Sequence, residues 1–287
     1  MPDHLIAYAV ALGLVAFDIL VRALRIRLLL PGQPLGVGQA VAANAYGDAA
    51  SAITPARLGG DPARFLGLRR YGAATPPAVV ALGIERVIDL ALAGTVTLAV
   101  ALTLGGRGFR DLVVLARRLV SPEVLPWLIA VIVMTLVAAV VAYLMRRRIP
   151  RGVGHSIRQA VEHARGLSAS TLGGAALLTV LSMAARVGVL PVLSLGFVSS
   201  LDPVAVVLGS FALIYSQLVL PTPAGAGGVE LGFAVGFAPT LSTAEIASLL
   251  VVWRVFTLVI PAGLGGVLFV RHLVGRRSTA ARPPAGR

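Results

Sequence analysis

The chain has 287 residues, 57% of them apolar and only 13% charged, and its mean hydropathy is +0.90. An ordinary soluble domain is about a quarter charged, so the composition argues against a soluble enzyme and a disordered chain and for a polytopic membrane protein. The formal charge of +13 would suit nucleic acid, but all 25 basic residues are Arg and they fall between long apolar runs. That is how juxtamembrane anchors are placed, so no nucleic-acid partner is expected. There is no Cys, hence no disulfide, thiolate nucleophile or Cys-based metal site.

In chain order, Leu5–Val21 is the first predicted span. Asp3 and His4 precede it and Arg22, Arg25 and Arg27 follow. A signal peptide has the opposite charge order, so the segment reads as a retained helix with its N-terminus outside. Val37–Ile53 is apolar and runs into a Pro/Gly cluster. Pro77–Leu104 is a span holding Glu85, Arg86 and Asp89, and Val124–Met145 is a span without charge. Arg146–Ser170 is basic and reads either as a surface helix on headgroups or as a topology signal. Thr171–Val198 is a span interrupted by Arg186 and Pro191, and Pro203–Leu220 again runs into Pro and Gly. Leu241–Val270 contains Pro261 and reads as one kinked or tilted helix, with a broken pair as the alternative. The tail from Gly275 reads as disordered and cytoplasmic. The expected organisation is a membrane domain over 1–274, with halves at about 5–104 and 171–270, and a basic tail over 275–287.

If Val37–Ile53 and Pro203–Leu220 dip into the bilayer and return, 18 Arg fall inside, four outside (Arg107, Arg110, Arg117, Arg118) and three within the membrane (Arg86, Arg186, Arg254). Two full crossings divide the Arg less well by the positive-inside rule. The expected location is therefore the cell membrane, multi-pass, with the N-terminus outside and the C-terminus cytoplasmic.

An internal repeat supports the dips. Thr54-Pro55-Ala56-Arg57-Leu58-Gly59-Gly60 and Thr222-Pro223-Ala224-Gly225-Ala226-Gly227-Gly228 both read T-P-A-x-x-G-G at an offset of 168. Without gaps, Phe65, Thr75, Arg86, Val87 and Leu90 then fall opposite Phe233, Thr243, Arg254, Val255 and Leu258. Pro ends a helix and Gly allows a sharp turn, so Pro55, Gly59, Gly60, Pro223, Gly227 and Gly228 are the expected helix breaks. The expected fold is an all-α integral membrane bundle with two re-entrant broken-helix elements arranged as an inverted repeat, an architecture found in transporters. Two ordinary aqueous loops are the plainer alternative.

Ionisable residues within spans cost roughly 2.5–3.5 kcal/mol each on insertion scales and face a partner or a cavity. Glu85 and Asp89 share a helix face and are candidate partners of Arg57, Arg64 or Arg254; Glu230 is a candidate partner of Arg86 or Arg186. Two roles compete for these groups: buried pairs that hold broken helices, or a path for an anionic headgroup with Arg as phosphate ligand. Arg186 reads as structural. Gly228, Gly232 and Gly236 permit close helix packing. The four His have no metal-ligand spacing, so no metal and no cofactor are expected, and no hydrolase, zinc-peptidase or nucleotide-binding signature is present.

These motifs resemble the membrane domain of lysylphosphatidylglycerol synthase/flippase proteins and their stand-alone relatives. The resemblance rests on Arg22-Ala23-Leu24-Arg25, on Asn44 with Pro55-Ala56-Arg57-Leu58-Gly59-Gly60 and Arg64, on Glu85-Arg86 with Asp89, and on Pro221-Thr222-Pro223-Ala224-Gly225 with Gly227 and Glu230. It implies a domain that moves phospholipid between leaflets: an anionic or aminoacylated phospholipid, or a polyprenyl-linked lipid. The family pattern has one more N-terminal helix, and no aminoacyl-transferase domain follows Arg271, so synthesis of the aminoacyl lipid is not expected. The expected headgroup path is Arg57 and Arg64 at the cytoplasmic mouth and Arg86 and Arg254 at the centre, with Glu85, Asp89 and Glu230 as counter-ions. The competing readings are a membrane-embedded headgroup transferase with a carboxylate base, and a non-catalytic subunit that docks a separate lipid-modifying enzyme.

Overall fold

The computed structural model describes residues 2–103, 152–197, 201–218 and 220–280. The expected span Val124–Met145 and the four expected outside Arg lie beyond the described residues. Ten α-helices are described: α1 (Pro2–Leu28), α2 (Val37–Ile53), α3 (Gly60–Arg70), α4 (Thr75–Thr103), α5 (Gly152–Gly166), α6 (Ala169–Phe197), α7 (Pro203–Ser216), α8 (Gly228–Phe237), α9 (Thr243–Arg254) and α10 (Ile260–Ala280). A π-helical turn, Val255–Val259, joins α9 to α10. No strand occurs among the described residues. The chain forms two compact units, Met1–Glu85 with Leu167–Arg287, and Arg86–Gly166. The second unit holds the rest of α4 and the surface-type helix α5, on which Arg158 and Glu162 pair in solvent, one turn apart.

Three described helical stretches are long and apolar enough to cross a membrane: His4–Leu28, Ala169–Gly196 and Thr243–His272. The last is the expected Pro261 span, and it is a single continuous stretch. The distortion lies just before the proline, where Ile260 donates its N–H to the Val255 carbonyl five residues back. A π-turn is a common way to absorb a helix irregularity. Pro191 is also carried inside a continuous helix, α6. Proline leaves the carbonyl four residues earlier without its helical donor. Here that carbonyl belongs to Val187, and Ser210 Oγ of α7 donates to it at 2.8 Å.

The two helices that run into the Pro/Gly clusters are short. α2 has 17 residues and α7 has 14, roughly 25 and 21 Å at a rise of about 1.5 Å per residue, against a hydrocarbon core of about 30 Å. Their starts are defined locally. Gly36 N–H donates to Gln39 Oε1 ahead of α2. Asp202 accepts from the N–H groups of Val204 and Ala205 ahead of α7, with Pro203 at the first position, a position where proline's missing donor does no harm.

Within the first unit α1 packs along α6, α2 lies between α3 and α10, and α7, α8 and α9 close around the far part of α6. α1 and α6 run antiparallel: Leu14 meets Gly188 and Leu28 meets Gly174. The main apolar cluster is built from Val189, Leu190, Leu193, Phe233, Leu249 and Trp253 with their neighbours on α1 and α7. The element order repeats. α3 and α4 begin at Gly60 and Thr75, and α8 and α9 begin 168 residues later at Gly228 and Thr243.

Candidate functional site

The two T-P-A-x-x-G-G segments fold into the same turn. In the first, Arg57 N–H donates to Thr54 O at 3.3 Å and Leu58 N–H to Pro55 O at 3.0 Å; in the second, Gly225 N–H donates to Thr222 O at 3.1 Å and Ala226 N–H to Pro223 O at 3.0 Å. Both turns place two consecutive residues at positive φ: Ala56 (48°) and Arg57 (57°), then Ala224 (51°) and Gly225 (69°), as in a type I′ turn. For Arg57 this left-handed conformation is strained by about 1 kcal/mol or more. Gly60 is required by space, because a Cβ there would stand 2.2 Å from Ser51 Oγ. The two segments touch: Pro55 and Pro223 form an isolated antiparallel β-bridge.

Next to Arg57 of the first turn a polar cleft with a cavity volume of about 60 Å³ opens between α1, α2, α6, the end of α7 and the π-turn. Its charged walls are Asp18, Arg22, Asp48, Arg57 and Arg186, three cations against two carboxylates. Arg22 grips Asp48 with both terminal nitrogens, Nη1 to Oδ1 at 2.9 Å and Nη2 to Oδ2 at 2.8 Å. Its Nε lies 3.0 Å from Asp18 Oδ2, at ion-pair distance but not aligned as a hydrogen bond. Asp18 Oδ1 also accepts from Arg186 Nε at 3.0 Å and from Ser182 Oγ. Arg57 Nη1 donates to Gln217 Oε1 at 3.1 Å. Arg186 is held through Nε alone among the described residues, and its side chain is 37% exposed. A guanidinium with spare donors in a lined cleft is suited to an anion with several oxygens, such as a phosphate.

Two further networks flank the cleft. Glu85, 1% exposed, accepts from Arg25 Nε at 2.8 Å through one oxygen and from Arg64 Nη2 through the other. Arg25 also donates to Thr179 Oγ1 at 2.7 Å, and Arg64 to Asn44 Oδ1 at 2.9 Å. In the second half Arg254 donates to Glu230 Oε1 through Nε at 3.0 Å and to the Ala224 carbonyl at 2.9 Å. The other Glu230 oxygen accepts from Gly227 N–H at 2.6 Å. Arg254 therefore clamps the second turn to α9.

The expected residues thus separate. Arg57 lines the cleft. Arg64 and Glu85 are joined to each other, as are Glu230 and Arg254; Glu85 takes Arg25 as its second cation, and Glu230 pairs with Arg254 rather than with Arg86 or Arg186. Arg86 and Asp89 belong to the second unit. Asp18, Arg22, Asp48 and Arg186 were not among the residues expected to form the path. The signal for them was present in the sequence: Asp18 and Arg22 lie one helical turn apart at the end of an apolar span, and an offset of 168 sets Asp18 opposite Arg186, acid against base. Among the described residues no group of three or more His, Asp or Glu is arranged to hold a metal ion.

Residues 4–265 match the family model described as the lysylphosphatidylglycerol synthase TM region. No curated protein gives a significant match.

Proposed function

Because the chain belongs to the lysylphosphatidylglycerol synthase membrane-region family, we propose that this membrane protein is a lipid translocase. It carries an anionic or aminoacylated phospholipid, or a polyprenyl-linked lipid, between leaflets, and the polar cleft receives the headgroup. The observation that carries the reading is that residues 168 apart meet at two places, Asp18 with Arg186 and Pro55 with Pro223. In a two-fold arrangement a residue touches its own counterpart only near the axis. The Asp18–Arg186 contact lines the cleft, as does Arg57, two residues after Pro55, and the equivalent helices α1 and α6 run antiparallel along it. If α1 and α6 stand across the bilayer, an axis perpendicular to them lies in the membrane plane, as in an inverted repeat, and the cleft lies on it near the midplane. Transporter sites are found at such interfaces. The short α2 and α7 with their turns are then the two re-entrant elements, the N-terminus is outside and the C-terminus cytoplasmic.

In this reading Arg186 and Arg57 hold the phosphate oxygens. Asp18 and Asp48 are the resting partners of the arginines and meet an amine when the headgroup carries one. Arg64 with Glu85, and Glu230 with Arg254, keep the two breaks in place. The test is transport of a fluorescent anionic phospholipid in proteoliposomes. Arg186→Gln lowers the rate by about tenfold or more, the loss of a charge-assisted contact, without loss of folding. Full transport by folded Arg186→Gln/Arg57→Gln would overturn the assignment.

A further inference from the structure

A second cavity, of about 380 Å³, lies apart from the polar cleft, between α2, α3 and α10. Its walls include Tyr46, Ile53, Leu66, Gly266 and Phe269, and among the described residues its one charged lining residue is Arg70. The groove owes its shape to close helix packing. A Cβ on Gly265 would stand 1.9 Å from the Ala45 carbonyl, and one on Gly67 would stand 2.9 Å from Ala43 Cα, so α10 and α3 both lie directly against α2. Gly266, next along α10, has nothing within 4 Å of its Cβ position and leaves the groove floor open. Leu66 is 66% exposed along the wall.

Arg70 decides the occupant. Its Nη2 is buried and has no hydrogen-bond partner among the described residues. The neighbouring Arg69 is satisfied, donating to the Ala73 carbonyl at 2.6 Å. A buried guanidinium nitrogen without an acceptor is unfavourable unless an anion supplies one. An apolar trough ending in such a cation matches a molecule with one acidic head and one long apolar chain. We infer that the α2–α3–α10 groove is a binding site for a membrane glycerophospholipid, with its phosphate on Arg70 and one acyl chain along Ile53, Leu66 and Phe269. This lipid is a resident of the protein's flank, distinct from any lipid in the cleft. The inference rests on the membrane character of the chain and not on translocation.

The test uses phosphatidylglycerol with a photoactivatable group at the end of one acyl chain, in phosphatidylcholine vesicles containing the full chain. After irradiation, labelled peptides are mapped by mass spectrometry. Label is expected on the α2, α3 and α10 residues of the groove. Arg70→Gln lowers it by about tenfold, the loss of a charge-assisted hydrogen bond, and Arg70→Lys restores part of it. Gly266→Phe fills the floor and abolishes it. A diacylglycerol probe with the same chain labels weakly, and inorganic phosphate does not compete. Label that avoids the groove, or that is equal in wild type, Arg70→Gln and Arg70→Lys, overturns the inference, and this comparison decides even if Gly266→Phe does not fold. Transport measured on the same vesicles separates the two proposals. Intact labelling without transport sinks the translocase and leaves the groove; transport with no groove label sinks the groove alone.

Discussion

In the first half of the chain Arg22, Arg25 and Glu85 are buried and joined through ion pairs; 168 residues later stand Leu190, Leu193 and Trp253, as deeply buried and packed into the main apolar cluster. Arg64 likewise has Gly232 as its counterpart. Both halves hold a short helix, a left-handed turn and a second short helix. One secures them with a network of buried ion pairs, the other mainly with aromatic and aliphatic packing beside the single Arg254–Glu230 clamp. Apolar packing holds a shape at least as well as a buried ion pair, since replacing such a pair by packed hydrophobes is often neutral or stabilising. The charged half is therefore not explained by stability. Of its groups Arg22 lines the cleft, and on the translocase proposal a charged wall there can exchange partners with a headgroup in a way that leucines cannot.

Removing one member of each network tests that contrast. Glu85→Ala leaves Arg25 and Arg64 buried without their shared carboxylate and is expected to destabilise by about 3–5 kcal/mol, read as a lower melting temperature in detergent. Trp253→Ala opens a cavity in the other half at a similar cost of about 3–5 kcal/mol. The sharper experiment converts one style into the other. Arg25→Leu/Glu85→Leu is expected to be less destabilising than Glu85→Ala alone, because it removes cation and carboxylate together, and, on the translocase proposal, to lose lipid transport while remaining folded. A double variant as unstable as the single one would show that the ion pairs are needed for folding.

The turns give smaller differences. Gly60→Ala drives a Cβ into Ser51 Oγ and is expected to destabilise by about 1–3 kcal/mol. At Gly227 (φ 85°) a Cβ meets nothing within 4 Å, so Gly227→Ala carries conformational strain only, about 1 kcal/mol. Thermal shifts of the two variants separate crowding from backbone strain. The smallest expected effect comes from pH. Burial, and then the hydrogen bond with Tyr46, push the Tyr71 phenol up to about 12. Its contribution to stability is complete below the ordinary phenol value near 10 and is lost as pH rises towards 12. Melting temperature should therefore be insensitive to this group between pH 7 and about 9, where phenols stay protonated, and should fall at higher pH less steeply in Tyr71→Phe.

Several features were legible in the sequence because they are local. Pro and Gly spacing located both turns, apolar length located the spans at Leu5–Val21, Thr171–Val198 and Leu241–Val270, and a fixed offset linked the two turns before any coordinates. Partnerships across helices were harder to read. Glu85 has several arginines within plausible reach in sequence terms, and the choice of Arg25 depends on how α1 and α4 approach each other. Arg186 looked structural because an isolated cation in a span needs a partner; that partner, Asp18, holds one nitrogen and leaves the rest of the guanidinium to the cleft. The kink assigned to Pro261 is carried by the π-turn Val255–Val259, which ends two residues before the proline, because the backbone absorbs a missing donor upstream of the proline itself.

The meeting of Pro55 with Pro223 has a mechanical consequence. Neither residue has an N–H, so if one half of the protein turns against the other here, no donor of these two residues has to be pulled from its acceptor. The bridge is therefore carried by backbone hydrogen bonds of the residues beside the two prolines, so rocking of one half against the other has to break and remake them, and the contact works as a latch between the halves.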